Sequence, residues 1–129
     1  MNRHSISPTG SAALVVALFH FGAAHAGTLS TPMIFKGGGD QLVCIASNVS
    51  SQPITVRVTI IGVLGNASST CTLPAGDNDG CQAFRNNDAG RCTITATGEQ
   101  SELRARVRGV LFTRKITSPF TIEGAVQAE

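Results

Sequence analysis

The sequence predicts an all-β fold of two packed antiparallel sheets. Three observations support this: apolar residues alternate with polar residues in several short runs, Gly, Pro, Asn and Asp separate the runs, and the four cysteines form an even set. No amphipathic helix of useful length interrupts the pattern. We therefore expect one small β domain stabilised by disulfide bonds, with about seven strands as in a typical sandwich.

Residues 1–26 are predicted to be a cleaved signal peptide. Arg3 and His4 lie in a weakly basic start, a short apolar run follows at 12–19, and Ala24-His25-Ala26 has the small-x-small pattern of a cleavage site. A bilayer span needs roughly 20 apolar residues, so the run indicates a leader and not a membrane span. We expect a single domain at 27–129, exported to the periplasm or outside the cell.

The beginning of this domain is predicted to be irregular. Residues 27–40 are expected to form a flexible arm or an edge strand, because Gly37-Gly38-Gly39 is a flexible break. In the next run, Leu42, Cys44 and Ala46 share one parity and are expected to face the core. The turn-forming residues at 48–53 end that strand.

The clearest strand prediction covers residues 54–60. Alternate residues are apolar, namely Ile54, Val56, Val58 and Ile60. Thr55, Arg57 and Thr59 alternate with them, which is typical of a strand with one buried face and one solvated face.

A hairpin is predicted near the carboxyl end. Cys92, Ile94 and Ala96 share one parity, a link at 98–101 follows, and alternation resumes at 103–108. Weaker strands are expected at 30–35, 69–73, 81–84, 110–112 and 120–126. Phe112, Phe120 and Ile122 are expected to be core residues.

Two disulfide bonds are predicted among Cys44, Cys71, Cys81 and Cys92, because the chain is addressed to an oxidising compartment. Three pairings are open. Cys71–Cys81 with Cys44–Cys92 is favoured, since the first two cysteines bracket a turn-rich segment and the others lie in separate strands. A zinc site is disfavoured because the spacing lacks close C-x-x-C pairs.

The parity of the cysteines places Cys44 and Cys92 on core faces, which indicates a buried bridge between two sheets. This arrangement is found in immunoglobulin-like sandwiches, although their core Trp and their Tyr before the second Cys are absent. With the runs at 42–48, 54–60, 72–76 and 90–92, the chain resembles small exported bacterial immunoglobulin-like β-sandwich proteins of unassigned function. The resemblance implies a fold and transfers no functional residues.

The inventory of side chains disfavours catalysis. All three histidines lie in the predicted leader, which excludes Ser-His-Asp triads, Cys-His dyads and His-based metal ligation in the exported chain. A hydrolase dependent on two carboxylates remains a less favoured alternative. We expect no enzyme activity and no cofactor, and the near-neutral charge argues against nucleic-acid binding.

Arginines form the best candidate binding site. If residues 103–108 are a strand, Arg104, Arg106 and Arg108 lie in one row on its outer face, and Arg57 joins them when its strand is adjacent. Such a row suits an anionic glycan or an acidic protein patch. The alternative is a solvated face whose charges discourage aggregation of strand edges.

Two weaker motifs accompany this row. Asp77 and Asp79 lie in Asp77-Asn78-Asp79-Gly80, which is partly similar to the start of a calcium loop but lacks its later ligands. Asn48 and Asn66 match the glycosylation pattern and are expected to be turn residues.

The sequence as a whole indicates a non-catalytic interaction or structural module with an unidentified protein or anionic glycan partner. A pilin-like or surface-assembly subunit is the alternative, and it predicts oligomers formed through exposed strand edges.

Overall fold

The computed structural model describes residues 26–35, 40–77, 80–86, 88–116 and 122–129. Within these ranges the chain forms eight strands and one short helix. In chain order they are β1 (Ala26–Ser30), β2 (Asp40–Asn48), β3 (Ile54–Gly62), β4 (Gly65–Leu73), β5 (Cys81–Asn86), β6 (Gly90–Thr97), α1 (Gln100–Arg106), β7 (Val107–Lys115) and β8 (Ile122–Gln127). Of the predicted leader, only Ala26 is among the described residues, and it is the first residue of β1.

The strands form two four-stranded antiparallel sheets. Sheet I has the order β1-β6-β3-β4, and sheet II has the order β5-β2-β7-β8. The predicted all-β, two-sheet architecture is therefore confirmed, with β1 as an edge strand of sheet I. None of the helices among the described residues is long and apolar enough to cross a membrane.

The predicted inward parity of the two clearest strands is confirmed. Four alternate residues of β3 are buried, namely Ile54, Val56, Val58 and Ile60. In β2, Leu42, Cys44 and Ala46 are buried in the same core cluster. Alternation identified these faces because successive side chains of a strand point to opposite sides of the sheet.

Both disulfide bonds have the favoured pairing. Cys44 of β2 is bonded to Cys92 of β6 and so joins sheet II to sheet I. Cys71 of β4 is bonded to Cys81 of β5, which connects the edge strands of the two sheets. In the chain-entropy model, closing these loops contributes roughly 4 and 3 kcal/mol respectively.

The predicted hairpin between 92–97 and 103–108 is wrong. β6 belongs to sheet I and β7 to sheet II, and α1 connects them. Leu103 and Val107 are buried, whereas Ala105 between them is exposed. This segment is rich in helix formers, and a spacing of four residues places Leu103 and Val107 on one side, as α1 requires. The alternating pattern therefore did not distinguish a strand from this short helix.

The immunoglobulin-like assignment is not confirmed. In an immunoglobulin constant-type domain the first, second, fifth and fourth strands form one sheet. Here the first two strands of the domain lie in different sheets, and β1 pairs with β6. The bridge between the sheets is present as expected, but the strand order differs.

One end of the sandwich is organised around Asn48, and we call it the Asn48 end. The Asn48 side chain is buried at the end of β2, where its amide nitrogen donates to the carbonyl oxygens of Gln52 (2.7 Å) and Pro74 (2.8 Å). Its amide oxygen accepts hydrogen bonds from the backbone N–H (3.0 Å) and the hydroxyl (2.7 Å) of Ser50. A single buried amide thus connects the β2–β3 loop to the segment that follows β4.

The opposite end is organised around Asp88, and we call it the Asp88 end. The buried carboxylate of Asp88 accepts hydrogen bonds from the N–H groups of Leu64 (3.2 Å) and Ala89 (2.8 Å), and Arg85 lies 3.4 Å away. Burial alone would raise the pKa of Asp88, but these two N–H groups and the Arg85 guanidinium together hold it below its ordinary value. The charged carboxylate therefore fixes the β3–β4 turn against the β5–β6 connection.

Candidate functional site

The structure separates the four arginines that the sequence grouped together. Arg104 and Arg106 lie on α1, Arg108 lies on β7 of sheet II, and Arg57 lies on β3 of sheet I. The predicted row of guanidinium groups on one strand face is therefore wrong, for the same reason that the hairpin is wrong.

Arg106 is engaged in holding the Asn48 end together. Its guanidinium donates to the carbonyl oxygens of Pro53 (3.0 Å) and Gln52 (3.4 Å) and to the Ser50 hydroxyl (3.3 Å). Because these bonds close the β2–β3 loop against α1, the structure gives Arg106 a role in stability.

Arg108 lies on the outer face of sheet II. Its guanidinium donates to the carbonyl oxygens of Arg104 and Val107. It lines a shallow cleft of about 210 Å³ together with Ile45, Val110 and Gln127. Local backbone contacts thus restrain Arg108, and the floor of its cleft is mainly apolar.

Arg57 lies in a different environment, the outer face of sheet I. Strand register and alternation place hydroxyl-bearing residues on all four strands there, and we call this surface the hydroxyl face. Its members are Thr28, Ser30, Thr55, Thr59, Ser68, Thr70, Thr72, Thr93, Thr95 and Thr97, together with Arg57. Thr is favoured on such a surface because its β-branched side chain suits a pleated sheet.

The register places Arg57 in the interior of the hydroxyl face. Thr95 of β6 and Thr70 of β4 are its two cross-strand partners, and Thr28 of β1 follows Thr95 in the same row. Neighbouring strands are about 4.8 Å apart, and residues two apart along a strand are about 7 Å apart. Arg57 is therefore surrounded by hydroxyl groups at distances that one extended ligand can span.

Hydrogen bonds between side chains order this surface on both sides of Arg57. The hydroxyl oxygens of Thr55 and Thr72 are 2.9 Å apart, and those of Thr59 and Ser68 are 3.0 Å apart. No hydrogen bond or ion pair joins the exposed Arg57 guanidinium to the described residues. A shallow depression of about 230 Å³ lies beside it, lined by residues that include Thr55, Thr70 and Thr95.

The charge of the hydroxyl face is positive. Arg91 lies on the same face where β6 begins, next to Ile61 of β3. The other outward residues of this face among the described strands are neutral, so no carboxylate competes for the Arg57 guanidinium there. A cationic centre surrounded by hydroxyl groups suits an anionic ligand that carries many hydrogen-bonding oxygens.

The calcium motif is only partly described. Asp77 is half-buried, and Asp79 lies outside the described residues. Among the described side chains, no group of three or more His, Cys, Asp or Glu is placed to hold a metal ion. The two clefts already mentioned contain no carboxylate, and a third near α1 contains one, Glu99.

The alternation of Thr93, Thr95 and Thr97 predicts a strand and also indicates a uniform outer face, but the sequence does not show which other strands share that face. Asn48 was expected in a turn, but it is the last residue of β2 and its side chain is buried. Ile122 was expected in the core, but it is exposed. Only the strand order shows that hydroxyl groups from four separate strands share one surface.

No protein-family model matches this chain, and no curated protein or solved structure shows significant similarity to it.

Proposed function

We propose that this chain is an exported, non-catalytic binding module that holds an anionic polymer on its hydroxyl face, with Arg57 as the central contact. The ligand class is a phosphorylated or sulfated glycan of an envelope or an extracellular surface. The observation that carries the proposal is the position of Arg57, exposed and without a protein partner among the described residues, inside an ordered field of hydroxyl groups.

The chemistry of the face favours a polymer over a small ion. A phosphate or sulfate group accepts charge-assisted hydrogen bonds from a guanidinium, and the flanking hydroxyl groups donate to or accept from sugar hydroxyls. The face is an open, pleated surface without a deep cavity. Affinity must therefore come from repeated contacts along an extended ligand.

Two further observations support export and binding without catalysis. Two disulfide bonds stabilise the domain, which is typical of proteins in oxidising compartments. The clefts around Arg57, Arg108 and α1 hold at most one carboxylate each, whereas a carboxylate-dependent hydrolase needs two convergent acids.

Retention on an immobilised sulfated polysaccharide tests the proposal. Arg57→Gln is expected to weaken binding about tenfold, because one charge-assisted contact is lost. The matched control is Arg104→Gln, which removes an exposed arginine of α1 and the same net charge. Thr95→Val, which removes one hydroxyl beside Arg57 at nearly constant volume, is expected to weaken binding about threefold.

Equal losses for Arg57→Gln and Arg104→Gln would show that only net charge matters and would contradict a site on the hydroxyl face. Unchanged retention of Arg57→Gln would contradict the proposal as well. Oligomers that form as the concentration rises, in place of retention, would favour the assembly-subunit alternative.

A further inference from the structure

Exposed apolar side chains are concentrated at one end of the sandwich. Eight large hydrophobic residues are exposed among the described residues, and six of them lie at the Asp88 end: Met33, Phe35, Val63, Leu64, Ile116 and Ile122. Phe35 is 77% exposed, and Val63 and Leu64 are each 70% exposed. Scattered exposed hydrophobic residues are ordinary, but a concentration on one surface marks an interaction site.

Strand register shows that these residues share one end. In sheet I, Ile34 bridges to Gly90, and Gly90 is the partner of Gly62 next to the Val63-Leu64 turn. The sheet II residues lie where β7 ends and β8 begins, since Arg114 is the register partner of Ile122. Asp88 connects the two sheets at this level through Leu64 and through Arg85 of β5.

The β3–β4 turn exposes two apolar side chains, and the backbone N–H groups of both residues are hydrogen-bonded. The Val63 N–H donates to the Ala89 carbonyl oxygen (3.0 Å), and the Leu64 N–H donates to Asp88. A Cβ atom at Gly62 would collide with the Asp88 carboxylate, so this tight approach requires glycine. Because both N–H groups have partners, Val63 and Leu64 can enter an apolar medium without burying an unpaired donor.

Basic residues surround the apolar tips. Arg91 is the second residue of β6, and Arg114 and Lys115 are the last two residues of β7. Arg85 lies there too, paired with the buried Asp88 carboxylate. Two more acidic residues belong to the strands at this end: Asp40, the register partner of Lys115, and Glu123 of β8. Four cationic residues therefore exceed three acidic ones among the described residues here, and the surface complements a negatively charged one.

We infer that the Asp88 end docks on the surface of an anionic phospholipid bilayer, with Val63, Leu64 and Phe35 in the interfacial layer and Arg91 and Lys115 at the lipid phosphates. The charge of this end favours an anionic surface, since each nearby Lys or Arg strengthens such binding. The apolar side chains project from separate chain segments instead of forming one flat strand face. That shape suits penetration between headgroups better than contact with a second copy of this chain.

Vesicle flotation tests the inference with the full oxidised domain. Wild-type protein is expected to float with phosphatidylcholine vesicles containing phosphatidylglycerol and to float weakly with pure phosphatidylcholine vesicles. Val63→Ser combined with Leu64→Ser is expected to lower the affinity at least about tenfold. Val49→Ser is the matched control, because Val49 is 52% exposed at the Asn48 end.

The absence of tryptophan from the chain allows a second, direct measurement. Leu64→Trp introduces a single indole at the turn, and its fluorescence is expected to shift to shorter wavelength when anionic vesicles are added. Val49→Trp is expected to show no shift. Arg91→Gln combined with Lys115→Gln is expected to weaken vesicle binding by more than about fivefold and to reduce its salt dependence.

Three outcomes would overturn the inference: wild-type protein that stays unbound at low salt, a Leu64→Trp emission that vesicles leave unchanged, or a Val49→Ser loss equal to that of the turn variant. Concentration-dependent dimers abolished by Val63→Ser and Leu64→Ser would assign this end to self-association instead. The turn variants are expected to keep wild-type retention on the sulfated matrix, so this inference and the proposed function fail separately.

Discussion

The two ends of the sandwich use the same device and display opposite surfaces. At each end one buried polar side chain holds nearby backbone. The neutral amide of Asn48 donates to carbonyl oxygens and accepts from one backbone N–H, whereas the charged carboxylate of Asp88 accepts from two. The Asn48 end displays polar loops and α1, whereas the Asp88 end displays exposed aliphatic and aromatic side chains. The difference shows that the buried side chain that holds a loop in place does not determine which side chains the loop exposes to solvent.

Covalent support also differs between the ends. The Cys71–Cys81 bond lies close to the Asn48 end, because Cys81 is the register partner of Ala46 and Cys71 lies two residues before Leu73, whose carbonyl oxygen Asn48 contacts. The Asp88 end is held by hydrogen bonds and by the ion pair between Arg85 and Asp88. We expect the two ends to respond to different perturbations.

Removing a disulfide bond is expected to have the largest effect. Cys44→Ala with Cys92→Ala should lower the free energy of unfolding by roughly 4 kcal/mol and loosen both ends, because this bond joins the centres of the sheets. Cys71→Ala with Cys81→Ala should cost roughly 3 kcal/mol and raise amide exchange at Gly76 before Val63. Urea unfolding and exchange mass spectrometry measure the two quantities. Equal exchange at both ends in the second variant would contradict this division.

Asn48→Ala is expected to destabilise the domain by about 2 kcal/mol, because carbonyl oxygens around Asn48 and the Ser50 N–H would lose their partner in a buried site. Asn66→Ala is the control: Asn66 is exposed where β4 begins, and its loss should cost less than about 0.5 kcal/mol. Thermal or urea unfolding compares the two variants. Similar values would show that Asn48 does not organise its end.

Asp88→Asn tests the charge at the other end and should have the smallest effect. Since the pKa of Asp88 is lowered in the folded state, its charge stabilises the fold above the unfolded pKa of about 4, and this contribution disappears as pH falls through the lower folded value. The variant should melt below wild type at pH 7, and the gap should close in acid. Glu102→Gln, which removes one negative charge at an exposed position of α1, is the control. If the difference in melting temperature between Asp88→Asn and wild type did not depend on pH, this electrostatic role would be refuted.

The regular strands could be predicted from the sequence because alternation directly encodes one buried face. Ile54, Val56 and Val58 are buried as the pattern requires, and the inward parity of Cys44 and Cys92 agrees with their bond. The segment at 103–108 could not be resolved in this way. Leu103 and Val107 satisfy both a strand period and a helical spacing, and only packing between the sheets selects α1.

The candidate sites were harder to predict from the sequence than the fold. Arg57 was named for its parity, but its neighbours on the hydroxyl face come from β1, β4 and β6, which are distant in the chain. No sequence pattern singles out Val63 and Leu64. The role inferred for them depends on the chain segments that end beside them.

By itself the sequence determined the β class and the core faces of the clearest strands, and it favoured the observed cysteine pairing over two others, because period-two hydrophobicity and loop geometry act locally along the chain. Only the tertiary structure decided which strands are neighbours, and therefore which side chains share a surface. Strand order depends on contacts between residues far apart in sequence, which no local pattern records. The hydroxyl face around Arg57 and the apolar surface of the Asp88 end both arise at that level.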